Sequence, residues 1–126
     1  SSRYPRDRQY RLSSVLRIRV AYDLLVLGER RALHRKVAAW IASQGRTDME
    51  ESMRLAYHLE RGGQPEDAAL LLMRTARAAQ SVGADEESER LWTHAYVLTS
   101  EAENHTAIER ELAVIHSRMR AAEADG

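Results

Sequence analysis

Apolar side chains recur along this chain at three- and four-residue intervals, in runs punctuated by glycine. That spacing is the period of a helix with one buried face. After a polar, Arg-rich start over 1–9, Tyr10 and Leu12 alternate with Arg11 and Ser13, which predicts a short N-terminal strand. The next run sets Val15, Ile18, Tyr22 and Leu25 on one face and Leu16, Val20, Leu24 and Leu27 on another. A helix apolar most of the way round is expected to be buried, and Gly28 is expected to end it. A second helix, 29–43, carries Leu33, Val37, Trp40 and Ile41 inward and closes at Gly45. Thr47 and Glu50 have the spacing of a capping box; the helix they open has Met49, Met53, Ala56 and Leu59 in register and stops at Gly62-Gly63. Pro65 suits the first turn of a fourth helix, where its missing N–H has no partner to lose. Ala68, Leu72, Thr75, Ala76 and Ala79 form its narrow face, and Gly83 ends it. The fifth helix, 85–99, turns Ser88, Leu91, Trp92, Ala95 and Leu98 inward. Thr106 and Glu109 offer another capping box, followed by the stripe Ile108, Leu112, Ile115, Met119, with 121–126 expected to fray. The predicted class is therefore all-α, about six antiparallel helices joined by short turns.

Composition narrows the function classes. The 126 residues suffice for one core, and 44% apolar with 30% charged residues is a globular balance. There is no cysteine, which excludes disulfides, thiol catalysis and Cys-ligated metals. No run approaches the roughly 18–20 apolar residues that span a bilayer, and no N-terminal apolar segment resembles a signal peptide, so a cytoplasmic setting without membrane contact is expected. The zero net charge is a cancellation. Residues 1–36 hold ten basic and three acidic side chains, and residues 37–126 hold nine and sixteen. The basic end is expected to pack on its own acidic helices or on a neighbouring domain. The alternative is a nucleic-acid-binding module that uses this basic N-terminal third.

From Gly63, small, large and small residues follow at Ala68, Leu72 and Thr75; from Gly83, Ser88, Trp92 and Ala95 repeat the same offsets. Small residues let two helices approach while large ones fill the flanking grooves. Leu72, Thr75, Ala76, Ala79, Gly83, Ser88, Trp92 and Ala95 together resemble one tetratricopeptide repeat, a helical-hairpin unit of 34 residues. Ser100 stands where that family has proline. A second resemblance covers about 10–100. The runs Val20-Ala21-Tyr22-Asp23-Leu24-Leu25 and Glu29-Arg30-Arg31-Ala32-Leu33-His34-Arg35-Lys36-Val37-Ala38, then Leu55-Ala56-Tyr57-His58-Leu59, then Pro65-Glu66-Asp67-Ala68, are similar to a segment of STAND-type signalling ATPases. That group includes ATPase-linked class III nucleotide cyclases and large helix-turn-helix regulators. In it, this segment closes a winged-helix module and leads into tetratricopeptide-like helices. Ser14 stands where relatives often carry a histidine near nucleotide phosphates, and Arg17-Ile18-Arg19 departs from their usual Ile-Arg-Asp.

The two resemblances imply a basic winged-helix-like end segment over 1–45, tetratricopeptide-like hairpins over 46–122 and a frayed tail over 123–126. They also imply a non-catalytic interaction and regulatory module of a larger signalling protein, holding a protein partner or a sister domain. Exposed apolar edges at the ends of such a stack make a homodimer an expected arrangement. The chain has no G-x-x-x-x-G-K-[ST] run to cradle a triphosphate. His34, His58, His94, His105 and His116 include no pair three or four apart, the spacing that aims two imidazoles at one ion. No catalytic residue, cofactor or metal site is therefore assigned. Candidate partner-binding residues are Arg30, Arg31, Arg35, Lys36, Tyr57, His58 and Tyr96. The expected core is Tyr22, Leu33, Trp40, Ala68, Leu72, Ala76, Ser88, Trp92 and Ala95.

Overall fold

The computed structural model describes residues 3–126 and is all-helical over them. Five helices follow one another: α1 (Arg3–Ser43), α2 (Met49–Arg61), α3 (Pro65–Ser81), α4 (Asp85–Leu98) and α5 (Ala102–Asp125). Each packs on its neighbour in sequence, and α3 is the most enclosed, with α2 on one side and α4 on the other.

Two of the turns are built alike. Gly63 and Gly83 both sit at φ 79°, a left-handed conformation that costs a residue with a Cβ about 1–2 kcal/mol. Around them the Gln64 N–H donates to the Leu59 carbonyl and the Ala84 N–H to the Ala79 carbonyl, each at 2.9 Å. This wrap satisfies carbonyls that the end of a helix leaves open. The α4–α5 turn has no glycine and is held from a distance. The Glu66 carboxylate, in the first turn of α3, accepts from the Ser100 N–H and the Thr99 hydroxyl, each at 2.7 Å. The proline of the resembled repeat would have no N–H to give at position 100.

The core lies where α3 crosses α4 and meets α5. Ala69, Leu72, Met73, Ala76 and Ala79 pack on Leu91, Trp92 and Ala95, with Ile108 and Ile115 closing the far side. Ala76, Ser88 and Ala95 are fully buried and small, so the α3 and α4 backbones come close enough for the Ser88 hydroxyl to donate to the Ala76 carbonyl at 2.8 Å. Trp92 is buried beside that contact. Its indole Nε1–H donates to Gln80 Oε1 at 3.2 Å, and the Gln80 amide donates on to Glu111 at 3.1 Å. Ala68, Leu72, Ala76, Ser88, Trp92 and Ala95 are thus in the core, as the spacing predicts.

The N-terminal third departs from expectation. The predicted strand at Tyr10–Ser13 and the two helices predicted on either side of Gly28 are one continuous helix, so the count is five and no strand occurs among the described residues. A lone glycine costs about 1 kcal/mol against alanine in a helix interior, too little to stop a helix with good formers on both sides. Four alternating residues are likewise outweighed by the helical run that follows. Only the last part of α1 is packed, with Ala38 and Ile41 buried. Most of the described residues before it are exposed, so this part of the basic end projects as an arm and, among the described residues, does not lie on the acidic helices. Tyr22, Leu33 and Trp40, expected in the core, are 64%, 61% and 60% exposed. They are apolar and in helical register, but they sit on sides of α1 that no other element reaches. The predicted capping boxes also shift. Asp48, not Thr47, caps α2, accepting from the Glu51 N–H at 3.4 Å. Thr106 lies inside α5, where its hydroxyl donates to the Ala102 carbonyl, and α5 stays helical through the segment expected to fray.

Trp92→Ala leaves a cavity at the crossing of α3 and α4 and strands the Gln80 carbonyl. It is expected to cost about 3–5 kcal/mol, read as a large fall in melting temperature by circular dichroism. A shift of only a degree or two would mean that this crossing is not the centre of the fold.

Candidate functional site

Four of the seven candidate partner-binding residues meet where α1 passes α2. Arg35 reaches across the joint, its Nη1 donating to the Gly62 carbonyl at 2.9 Å. Gly62 is needed there, since a Cβ would stand 2.8 Å from Arg35 Cγ and 3.0 Å from the His58 carbonyl. The Arg31 stem lies over Gly63 one turn earlier. His34 and His58 face each other with their Nδ1 atoms 2.9 Å apart, a contact in which one ring must donate and the other accept. Tyr57 sets its ring edge-on to both histidines, and the Arg61 guanidinium lies 4.6 Å from the Tyr57 ring centre. Arg31 and Arg35 therefore do structural work at this joint; Arg30 and Lys36 are exposed.

Tyr96 belongs elsewhere. Its hydroxyl donates to Glu109 at 2.9 Å and its ring lies 4.3 Å from that of His105, contacts that join α4 to α5. Hydrogen bonding to the Glu109 carboxylate and that group's negative charge push the Tyr96 phenol above its ordinary range. Tyr96 therefore ties α4 to α5, while Tyr57 and His58 sit where α1 passes α2.

The two His rings do not make a metal centre by themselves. Among the described residues no three His, Asp or Glu side chains converge as ligands, and the charged neighbours of the pair are Arg54 and Arg61, which repel a cation. His94 and His116 pair instead with Glu60 at 3.2 Å and Glu89 at 3.1 Å, ties from α4 back to α2 and forward to α5. A depression of about 680 Å³ opens beside the start of α4. Four of its charges pair, Arg90 with Glu87 at 3.0 Å and Arg118 with Asp85 at 3.6 Å, and Glu86 and Glu123 also line it.

The feature that sequence reasoning missed is the arm itself. Leu12, Val15, Leu16, Ile18, Val20, Tyr22, Leu24 and Leu25 are all more than half exposed on a single helix. Contiguous apolar surface of this kind marks an interaction site. The signal was present in the sequence as a helix apolar on opposite sides, but periodicity alone does not reveal whether the partner lies within the chain. A shallow apolar groove of about 370 Å³ runs along one side of the arm, floored by Leu16, Val20, Ala21 and Leu24. No described helix is long and apolar enough to cross a membrane. Compared with known proteins, the chain matches no family model, no curated protein and no solved structure.

Two pH effects follow. Partial burial, then the charges of His34 and Arg54, hold the His58 imidazole below its usual 6.5. Its contribution to stability is complete above that value. It is lost as pH falls below about 6.5, because the unfolded chain then takes up a proton that the fold resists. His58→Gln should flatten the change in melting temperature between about pH 7.5 and 5.5. Glu66 is also shifted down, but by stabilisation of its charged form, the Ser100 N–H and Thr99 hydroxyl holding its carboxyl below 4.5. That contribution is present above about 4.5 and lost as pH falls through the folded value. Glu66→Gln should therefore lower stability at neutral pH and leave a shallower acid limb in the same melts.

Proposed function

We propose that this chain is a non-catalytic interaction and regulatory module of a larger cytoplasmic signalling protein, an ATPase-linked nucleotide cyclase or a transcriptional regulator, and that it holds a sister domain or a protein partner. The observation that carries the reading is the continuity of one side of α1. The residues that seat α1 on α2 are His34, Ala38 and Ile41. At helical spacing the same side continues upstream as Leu27, Leu24, Val20 and Leu16, which are 43–63% exposed. A stripe that is packed at one end and bare at the other is one face awaiting its second half.

The resemblance to STAND-type proteins supplies a reason for that half, since it expects a winged-helix module along this part of α1. The repeated glycine turn and small-residue crossing of α3 and α4 support tetratricopeptide-like hairpins as the rigid support behind it. In this reading Arg31 and Arg35 fix the angle at which the arm leaves α2, and a partner on the arm is thereby held in a set orientation to the hairpins. Bias between active and inactive states of the parent would follow from a partner that fits only one such orientation. Arg30, Lys36, Tyr57, His58 and Tyr96 remain secondary contact candidates.

Hydrogen exchange separates the outcomes. Amides from Leu12 to Leu27 should be protected more strongly in the full product of its gene than in this chain alone. A gene product no longer than these 126 residues, or equal exchange in both, overturns the reading. Binding of labelled duplex DNA that weakens steeply with salt would favour the nucleic-acid alternative, through the exposed Arg8, Arg11, Arg17 and Arg19.

A further inference from the structure

The arm carries a second apolar stripe, on the side turned away from the hairpins. Successive residues of a helix are about 100° apart, so Val15, Ile18, Tyr22 and Leu25 line up about half a turn round from the face that seats α1 on α2. All four are 60–70% exposed. Continued at the same four- and three-residue steps, the stripe begins at Arg11 and ends at Glu29, both exposed. It therefore reads basic, four large apolar side chains, acidic.

Such a pattern complements its own reverse. Laid antiparallel on a second copy, with the two-fold axis passing at the level of residue 20, Val15 comes level with Leu25 of the second copy, Ile18 with Tyr22, and Arg11 with Glu29. Each contact occurs twice by symmetry. Eight large apolar side chains then share one seam, with an ion pair at each end. A parallel pairing would instead set Arg11 against Arg11 and Glu29 against Glu29. The edge of the stripe carries Ser14, Ala21 and Gly28, seven residues apart, and small side chains there let two backbones close up. Because the seam lies opposite α2, the two hairpin stacks point outward and do not collide.

We propose that this chain forms a two-fold dimer through an antiparallel α1–α1 seam running from Arg11 to Glu29. The pairing rests on the arm being an interaction surface, as the proposed function does. It uses the opposite face, so a sister domain along Leu16–Leu27 and a second copy along Val15–Leu25 can fail separately.

The native chain has no cysteine, which makes register directly measurable. Light scattering on the chain should give a dimer at micromolar concentration. Arg11→Glu should weaken dimerisation about tenfold, two facing ion pairs becoming two repulsions, and the double variant R11E/E29R should restore it, since each new pair again joins opposite charges. Under mild oxidation the V15C/L25C variant should become a covalent dimer, while V15C alone should not, its two thiols lying about 15 Å apart along the seam. Unchanged melting of the α3–α4 core in every variant would show that the hairpins remain folded. A monomer by light scattering, a cross-link in V15C alone, or an R11E chain that dimerises as well as the native one overturns the proposal. Monomer in solution together with protection of Leu12–Leu27 in the full gene product would sink the dimer and spare the proposed function.

Discussion

The close approach of α3 and α4 is the contact on which the rest of this structure depends. Ala76 and Ser88 bring the two backbones near enough for a side-chain hydroxyl of one helix to donate to a carbonyl of the other. That nearness creates the groove that Trp92 fills. Gln80 ties the indole to Glu111 of α5, and Glu66 at the other end of α3 holds the turn before α5. With α3 fixed, α2 packs on its remaining side and sets the seat for α1. Larger residues at 76 or 88 would push the crossing apart and loosen each of these ties together, since an interior packed at crystal-like density does not absorb extra methylenes.

How far this was legible in the sequence depends on the range of the interaction concerned. Glycine turns are local, and Gly45, Gly63 and Gly83 end their helices where the pattern puts them. The small-large-small offsets after Gly63 and Gly83 are also local, and they locate Ala68, Leu72, Ser88, Trp92 and Ala95 in the core. The capping box at Thr106 fails for a reason outside its own segment. Glu66 pins Thr99 and Ser100 from 33 and 34 residues away, so α5 starts at once after that turn and runs through Thr106. The His34–His58 pair, 24 residues apart, and the Glu60–His94 pair, 34 apart, are invisible to local spacing in the same way. Tyr22, Leu33 and Trp40 show the complementary limit. Their helical register is right, yet burial requires something to be buried against.

Charge follows the same division. The hairpins are acidic and the arm is basic, and attraction between them could have folded the arm back onto the stack. It does not; several acidic side chains instead hold neighbouring helices, Glu60 and Glu89 with histidines, Asp85 near Arg118 and Glu66 with the α4–α5 turn. The arm leaves the joint along the axis set by Arg35 on Gly62, and Arg8, Arg11, Arg17 and Arg19 stay in solvent. The cancellation of net charge therefore describes two separate surfaces, not a neutral one.

An arm of this kind draws little stability from propensity alone. Isolated helices are marginal in water below about 12–15 residues even with the best formers, and β-branched Val15, Ile18, Val20 and Val26 lower the gain per residue of this longer one. Burial of its apolar faces would hold such a segment helical more firmly, and among the described residues most of those faces are bare before His34. Covering of its stripes is thus an event that orders the arm further, and whatever covers it adds to the free energy that straightens α1 through Gly28. The inner stripe is continuous with the α2 seat and so transmits that event into the hairpins, through His34, His58 and Arg35. The outer stripe is not. A protein that uses both would sense one association at the joint and use the other only to bring two such joints together.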